Sequence, residues 1–347
     1  MKTNENKLYF ASDYMEGAHP LILQRLLETN FLKTAGYGLD EYSEAAREKI
    51  RAACRAPEAD IFFLAGGTQV NATLIDAALR SYQGVVSAES GHISVHEAGA
   101  VESNGHKVLT LPQTDGKLSA EALSACIQAY LDDDNHDHMV MPGMAYLSQP
   151  TEFGTLYSLE ELKAISGICR ANGLPLYVDG ARLAYALACP ENDVTLPDLA
   201  SLCDAFYIGG TKCGTLYGEA LVIPKHDFIP HLFTIIKQHG ALLAKGRIAG
   251  LQFDTLFTDH LYDTIGKTAI DAAARIRSAL LEKGYTLAFP SPTNQIFITL
   301  EKEQAARLSE KIEMSFWENT ADGHTVMRIA TSWATQKEDV DNLIAVL

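Results

Sequence analysis

The stretch "AFYIGGTKCGTLYGEALVIP", Ala205 to Pro224, contains two apolar runs, "AFYIG" and "EALVIP", separated by a link of small and hydroxyl residues around one lysine, Lys212. A surface lysine normally keeps charged company, whereas Gly209, Gly210 and Thr211 precede this one and Cys213, Gly214 and Thr215 follow it. The apolar runs predict buried strands. The link is either a tight turn or a place where chemistry is done, and small neighbours would let a flat ligand approach the backbone closely.

Outward from this stretch, strand-like and helix-like patterns alternate. Upstream come the predicted strands "DIFFLA", "GVVSA", "HKVLTLP", "MVMPGMAYLSQ" and "LPLYVD", interleaved with the predicted helices "QVNATLIDAALRSY", "SAEALSACIQAYL", "SLEELKAISGICRANG" and "GARLAYALA". Such alternation predicts an α/β fold around a mostly parallel sheet flanked by helices. Two further helices are predicted nearer the start, "HPLILQRLLETN" and "DEYSEAAREKIRAACRA". After "KGRIAGLQFDTLF" the pattern changes to one long helix, "LYDTIGKTAIDAAARIRSALLEKG", then "QIFITL", a helix near "KEQAARLSEKIE", the strand "TVMRIATSW" and a last helix from "KEDVDNLIAVL". This predicts a large unit over 1–254 and a small α+β unit over 255–347.

Composition bounds the function. The chain has 347 residues, enough for a sizeable core, and 28 Lys and Arg against 44 Asp and Glu leave a net charge of −16. A nucleic acid or an anionic membrane is therefore a poor partner, and any anionic ligand must be met by a local site. Six cysteines form no CxxC pair, and no signal-like segment or membrane-length apolar run is present, so the expectation is a cytoplasmic protein with reduced thiols. "DDDNHDH", Asp132 to His138, mixes histidines with carboxylates but reads as a solvated loop, and no metal site is predicted.

Three motifs can carry chemistry. In "FLAGGTQVN" a strand runs into Gly66-Gly67-Thr68 and opens a helix, which presents free backbone N–H groups to an anion; taken alone it is equally a glycine turn. In "LYVDGAR", Asp179 ends an apolar strand and Arg182 follows; the aspartate either pairs with that arginine or holds a cationic ring nitrogen of a ligand. Lys212, beyond the carboxyl end of its strand, is either a turn lysine or a desolvated amine with a lowered pKa.

Phosphate seat, aspartate and lysine in this chain order resemble the pyridoxal 5'-phosphate (PLP) enzymes of the aminotransferase-like fold. With "FASDYMEGAHP", "AGYGLDEY", "GGTQVN", "SGHISVHEAGA", "YVDGARLAYA", "IGGTKCG", "KGR" and "MRIATSWATQKEDVD", the chain resembles the threonine aldolase and β-eliminating lyase family over nearly its whole length. The resemblance implies that Lys212 forms the Schiff base, Asp179 pairs with the pyridine nitrogen and His92 stacks on the ring. It implies that Gly67, Thr68 and Thr211 hold the cofactor with help from Arg182 and Arg247, and that Ser12, Arg182 and Arg328 gather the substrate carboxylate. Tyr37 would enter from a neighbouring subunit of a homotetramer built from dimers.

One position departs from the family. Aldolases of this kind often carry a Thr-His-Asn-Gly stretch where this chain has "SQPTEFGTLY", which puts Glu152 in place of the histidine near the β-hydroxyl. The implied activity is cleavage of the Cα–Cβ bond of L-β-hydroxy-α-amino acids to glycine and an aldehyde, with His92, Glu152 or a water as base. The alternatives are β-elimination to a keto acid and ammonia, and a non-catalytic PLP-binding homologue.

Overall fold

The computed structural model describes residues 7–347. The strands, in chain order, are β1 (Leu8–Tyr9), β2 (Asp60–Leu64), β3 (Gln83–Ala88), β4 (Val108–Leu111), β5 (Met141–Ser148), β6 (Leu176–Asp179), β7 (Ala205–Gly209), β8 (Glu219–Ile223), β9 (Thr286–Leu287), β10 (Gln295–Leu300), β11 (Ile312–Glu313), β12 (Ser315–Asn319) and β13 (Thr325–Ala330). Seven of them form one sheet in the order β2-β8-β7-β6-β5-β3-β4. All its pairings are parallel except those of β8, which runs against both β2 and β7. The reversal follows from the link 210–218, too short for the crossover of roughly a dozen residues that a parallel return needs.

β6, β7 and β8 are buried along their whole length, as continuous apolar runs predict. Alternate residues face two cores. Phe206, Ile208, Ala220 and Val222 pack with the helices on one side, and Tyr207, Leu221 and Ile223 with those on the other. A third core belongs to an antiparallel sheet, β12-β13-β10-β9, covered by the helices Lys267–Glu282 and Lys337–Val346. Phe10 joins that core, and β1 pairs in parallel with β11, so the N-terminal segment closes onto the C-terminal layer.

The single helix expected over residues 261–284 is divided at Gly266 into Leu261–Ile265 and Lys267–Glu282. Gly266 packs on the neighbouring helix Leu183–Ala188, where a Cβ would come within 2.3 Å of the Ala184 carbonyl oxygen. The segment 132–138 leaves the helix Ala120–Leu131 and makes one 3-10 turn at His136–His138 before β5. Among the described residues no helix is long and apolar enough to cross a membrane, and all six cysteines are free.

Candidate active site

At the carboxyl ends of the parallel strands lies a cavity of about 310 Å³, lined by Tyr14, Gly66, Gly67, Thr68, His92, Ser148, Glu152, Asp179, Arg182, Tyr207, Thr211, Lys212 and Glu219 among others. Strand ends converge here because β2, β5, β6 and β7 all point to this edge. Helices and loops that follow them must start beside one another.

The lysine loop is cross-linked by its own backbone. The N–H groups of Gly210 and Thr211 both donate to the Gly218 carbonyl at 3.1 Å, and the Gly218 N–H donates to Thr211 Oγ1 at 3.0 Å. A Cβ on Gly209 would lie 2.3 Å from the Ala181 oxygen, and one on Gly210 2.5 Å from the Gly218 oxygen. These two glycines therefore serve packing of backbone on backbone, a correction to the expectation that they make room for a ligand. Lys212 itself is partly buried, and among the described residues no carboxylate lies within ion-pair distance of its Nζ. Burial first, then the nearby Arg182 guanidinium, lower its pKa against the opposing pull of Asp13, Asp179 and Glu219. A partly desolvated amine poised toward the neutral form is a nucleophile.

Asp179 ends β6 with both oxygens partnered. Oδ2 accepts from the Tyr146 hydroxyl at 2.7 Å and from Asn71 Nδ2 at 3.1 Å, and Oδ1 accepts from the Ala181 N–H at 3.0 Å. Burial alone would raise its pKa, but His92 and these hydroxyl and N–H donors, with Tyr207, outweigh it and hold the carboxyl below its usual range. It is an anion kept ready for a cation. Of the two partners open to it in the sequence, Arg182 is taken elsewhere: its Nε and Nη2 form a two-pronged pair with Asp13 at 2.6 and 3.0 Å.

His92 begins the short helix His92–Val95 and is held at both ends. Its Nδ1 lies 2.7 Å from Glu97 Oε1, which also accepts from Asn71 Nδ2 at 2.6 Å, so Nδ1 is the donor and Nε2 is left to the cavity side of the chemistry. Its backbone N–H donates to Glu152 Oε1 at 2.8 Å, and Ser148 Oγ donates to the same oxygen at 2.6 Å. Glu152 thus sits beside His92, with Oε2 free of hydrogen bonds among the described residues. Burial, reinforced by Asp179, raises its pKa despite the Ser148 hydrogen bond.

The glycine seat is the N-terminus of the helix Gly67–Ala78. Gly66 caps it with no side-chain hydrogen bond, so its first N–H groups have no partner within the helix. A Cβ on Gly67 would lie 2.8 Å from the Tyr207 hydroxyl, so a side chain at that position would displace the tyrosine, whereas one at Gly66 would meet nothing within 4 Å. An uncapped helix start, a buried aspartate rich in donors and a partly buried lysine without an ion-pair partner, all lining one cavity, fit PLP.

From the N-terminal segment Tyr14 lines the cavity, and Asp13 reaches it through its pair with the lining Arg182. Asp13, which accepts also from Asn294 Nδ2 at 2.9 Å, is held down to about 2 because Arg182 and Lys212 outweigh its burial. Arg328 on β13 donates through Nη1 to Gln295 Oε1 at 3.1 Å and through Nη2 to the Ala11 carbonyl at 3.0 Å, while its buried Nε has no partner among the described residues. Ser12 is buried beside Asp13. Of the residues expected at the site, Ser12, Arg328, Tyr37 and Arg247 do not line the cavity in the single chain. Tyr37, with φ 61°, lies under Lys237 Nζ at 4.6 Å, and Arg247 donates to Thr29 Oγ1 at 3.2 Å. Asp13, Asn71, Glu97, Tyr146 and Glu219 were not singled out from the sequence. Only Glu219, a charged letter opening an apolar strand, carried a signal there.

The fold and this cavity define a class, the PLP-dependent enzymes of the aminotransferase-like fold. Residues 10–330 match the beta-eliminating lyase family, and the chain belongs to it. It is 30% identical to the low specificity L-threonine aldolase of Pseudomonas aeruginosa over 96% of this chain and 95% of that one. Its structure resembles that of Leishmania major threonine aldolase, with a TM-score of 0.94, 41% identity and 98% of each chain covered. Aspartate aminotransferase of Thermus thermophilus shares the fold at 16% identity and a TM-score of 0.73, over 98% of this chain and 91% of that one.

Proposed function

We propose that this lyase cleaves the Cα–Cβ bond of L-β-hydroxy-α-amino acids, releasing glycine and an aldehyde. The observation that carries the reading is Glu152, fixed by Ser148 and by the His92 backbone inside the cavity that holds Lys212 and Asp179. Retro-aldol cleavage needs a base for the β-hydroxyl, and a carboxylate of raised pKa with one free oxygen is suited to take that proton and return it. PLP, when bound, supplies the sink for the electron pair released from the Cα–Cβ bond.

The chain's own groups divide the rest. Lys212 is the attachment amine, with Thr211 beside it. With PLP bound, Asp179 would stay ionised and keep the pyridine nitrogen protonated, His92 would cover the ring, and Gly67 and Thr68 would seat the phosphate. Arg182, anchored by Asp13, and Arg328, with a spare Nε, draw in the substrate carboxylate together with Ser12. Arg247 and Tyr37 act across a subunit boundary of a cytoplasmic homotetramer; the exposed Leu27, Phe31 and Leu39 of the N-terminal stretch supply an apolar surface for such a boundary. Residues 1–254 form the cofactor unit and 255–347 the smaller one.

The test is product analysis of the PLP-loaded protein with L-threonine, L-allo-threonine, L-phenylserine and L-serine. Glycine with a stoichiometric aldehyde is expected, and keto acid with ammonia would overturn the choice of bond. Lys212→Ala should lose turnover and the visible absorbance of bound cofactor together.

A further inference from the structure

Glu219 is the buried carboxyl of the cavity that the reaction leaves unused. It opens β8, in register with Leu64 on β2 and with Gly209 on β7. It therefore stands between the strand that leads into the Gly66-Gly67-Thr68 seat and the strand that leads into the lysine loop. Its Oε2 accepts the Gly210 N–H at 2.9 Å, and it is 3% exposed. The titratable groups facing it are Lys212 from the loop, Asp179 and Tyr177 from β6, Tyr207 from β7, Cys213, and Tyr262 from the helix Leu261–Ile265. Of these only Lys212 brings a positive charge.

A carboxylate in this place opposes an anion in the adjoining seat, and burial denies it the water that would screen the repulsion. The same residue, neutral, still accepts the Gly210 N–H through its carbonyl oxygen, so the loop keeps its shape in either form. We propose that Glu219 is a positioning residue that makes anion binding at the glycine seat proton-linked: when a phosphate dianion enters, one proton from solvent is taken up on Glu219. The proposal rests on the reading of the seat as the phosphate site of PLP. Burial, only partly offset by Thr211, the Gly210 N–H and Lys212, raises the Glu219 carboxyl to about 7, which places both forms within reach at neutral pH. Proton uptake on binding makes affinity fall as pH rises above that value, by up to about tenfold per pH unit for one proton.

The experiment is titration of cofactor-stripped protein with PLP and with pyridoxal, which lacks the phosphate, between pH 7 and 9, by calorimetry in buffers of different ionisation enthalpy. Protonation changes at Lys212 are common to both ligands and cancel in their difference. The expected result is a PLP-minus-pyridoxal uptake approaching one proton per site at the upper end of the range, and its loss in Glu219→Gln together with tighter PLP binding at pH 9. No difference in uptake between the ligands in the unmodified protein would overturn the proposal without reference to any variant. The same uptake persisting in Glu219→Gln would also overturn it. Failure of the unmodified protein to bind PLP at all would instead remove the reading of the seat, and the proposal with it.

Discussion

The two walls of the cavity are built on different terms. Along the strand ends of the seven-stranded sheet, Asp179 has donors on both oxygens, and Asn71, Tyr146 and Tyr177 are linked to it or to one another by hydrogen bonds. Across the cavity, Arg182 depends on Asp13, and Arg328 keeps a buried Nε without a partner among the described residues. Buried polar atoms are almost always paired, so the unpartnered guanidinium N–H is an exception on this side. The first wall is the more fully paired, with Glu97 Oε2 its unpartnered atom among the described residues, and sets charge. The second is left open and takes the variable partner.

Four substitutions sharpen this contrast or break it. Asp179→Ala removes the charge that the first wall exists to hold, and kcat should fall by about 10³-fold in steady-state assays, as for loss of a preorganised electrostatic group. An activity within tenfold of the parent would mean that the first wall is only structural. Asp13→Ala strips the partner from buried Arg182, and unfolding in urea should show a loss of about 3–5 kcal/mol. The sign with pH follows from its lowered carboxyl: the stabilisation is complete above the ordinary value of 3.8 and disappears as pH falls through about 2.

Glu152→Gln should lower kcat/KM by about 10²-fold. It should also erase an acid limb that, in the parent, lies above the ordinary 4.5 of a glutamate, because falling pH protonates the base. Survival of that limb in the variant would assign it to another group. Arg328→Lys keeps the charge but loses the fork, so KM should rise about tenfold with kcat nearly unchanged, the signature of lost uniform binding. A fall in kcat with constant KM would place Arg328 in the first category rather than the second.

The same contrast explains what the sequence disclosed. Lys212 and Asp179 could be read because each ends an apolar strand whose burial is announced by its own letters, and a charge there needs a reason. The tether of His92 could not, because Glu97 and Asn71 are ordinary polar letters until the chain folds. Asn71 reaches Asp179 across 108 positions of sequence. Asp13 is equally silent, since its partner Arg182 lies 169 positions away. The division at Gly266 was hidden because a lone glycine is tolerated in a helical pattern, and only the approach of the Ala184 carbonyl gives it a purpose. Tyr37 and Arg247 were assigned from family likeness, and neither lines the cavity in the single chain.

The pairing of β1 with β11 has a consequence for the order in which the molecule comes into being. Phe10 accepts from the Ala330 N–H, Ala11 from Arg328, and the His19 N–H donates to the Gly214 carbonyl, so Asp13 hangs between anchors supplied by late-made and mid-chain segments. All strands of the seven-stranded sheet have been made once Ile223 has left the ribosome, but a nascent chain must reach Gln252, which accepts from the Leu216 N–H, and Tyr262, which donates to the Gly209 carbonyl, before the lysine loop is held. The chain cannot fix the open wall until β11 and β13 have been synthesised. Asp13, and with it the anchor of Arg182, therefore takes its place only after the last part of the chain has been made.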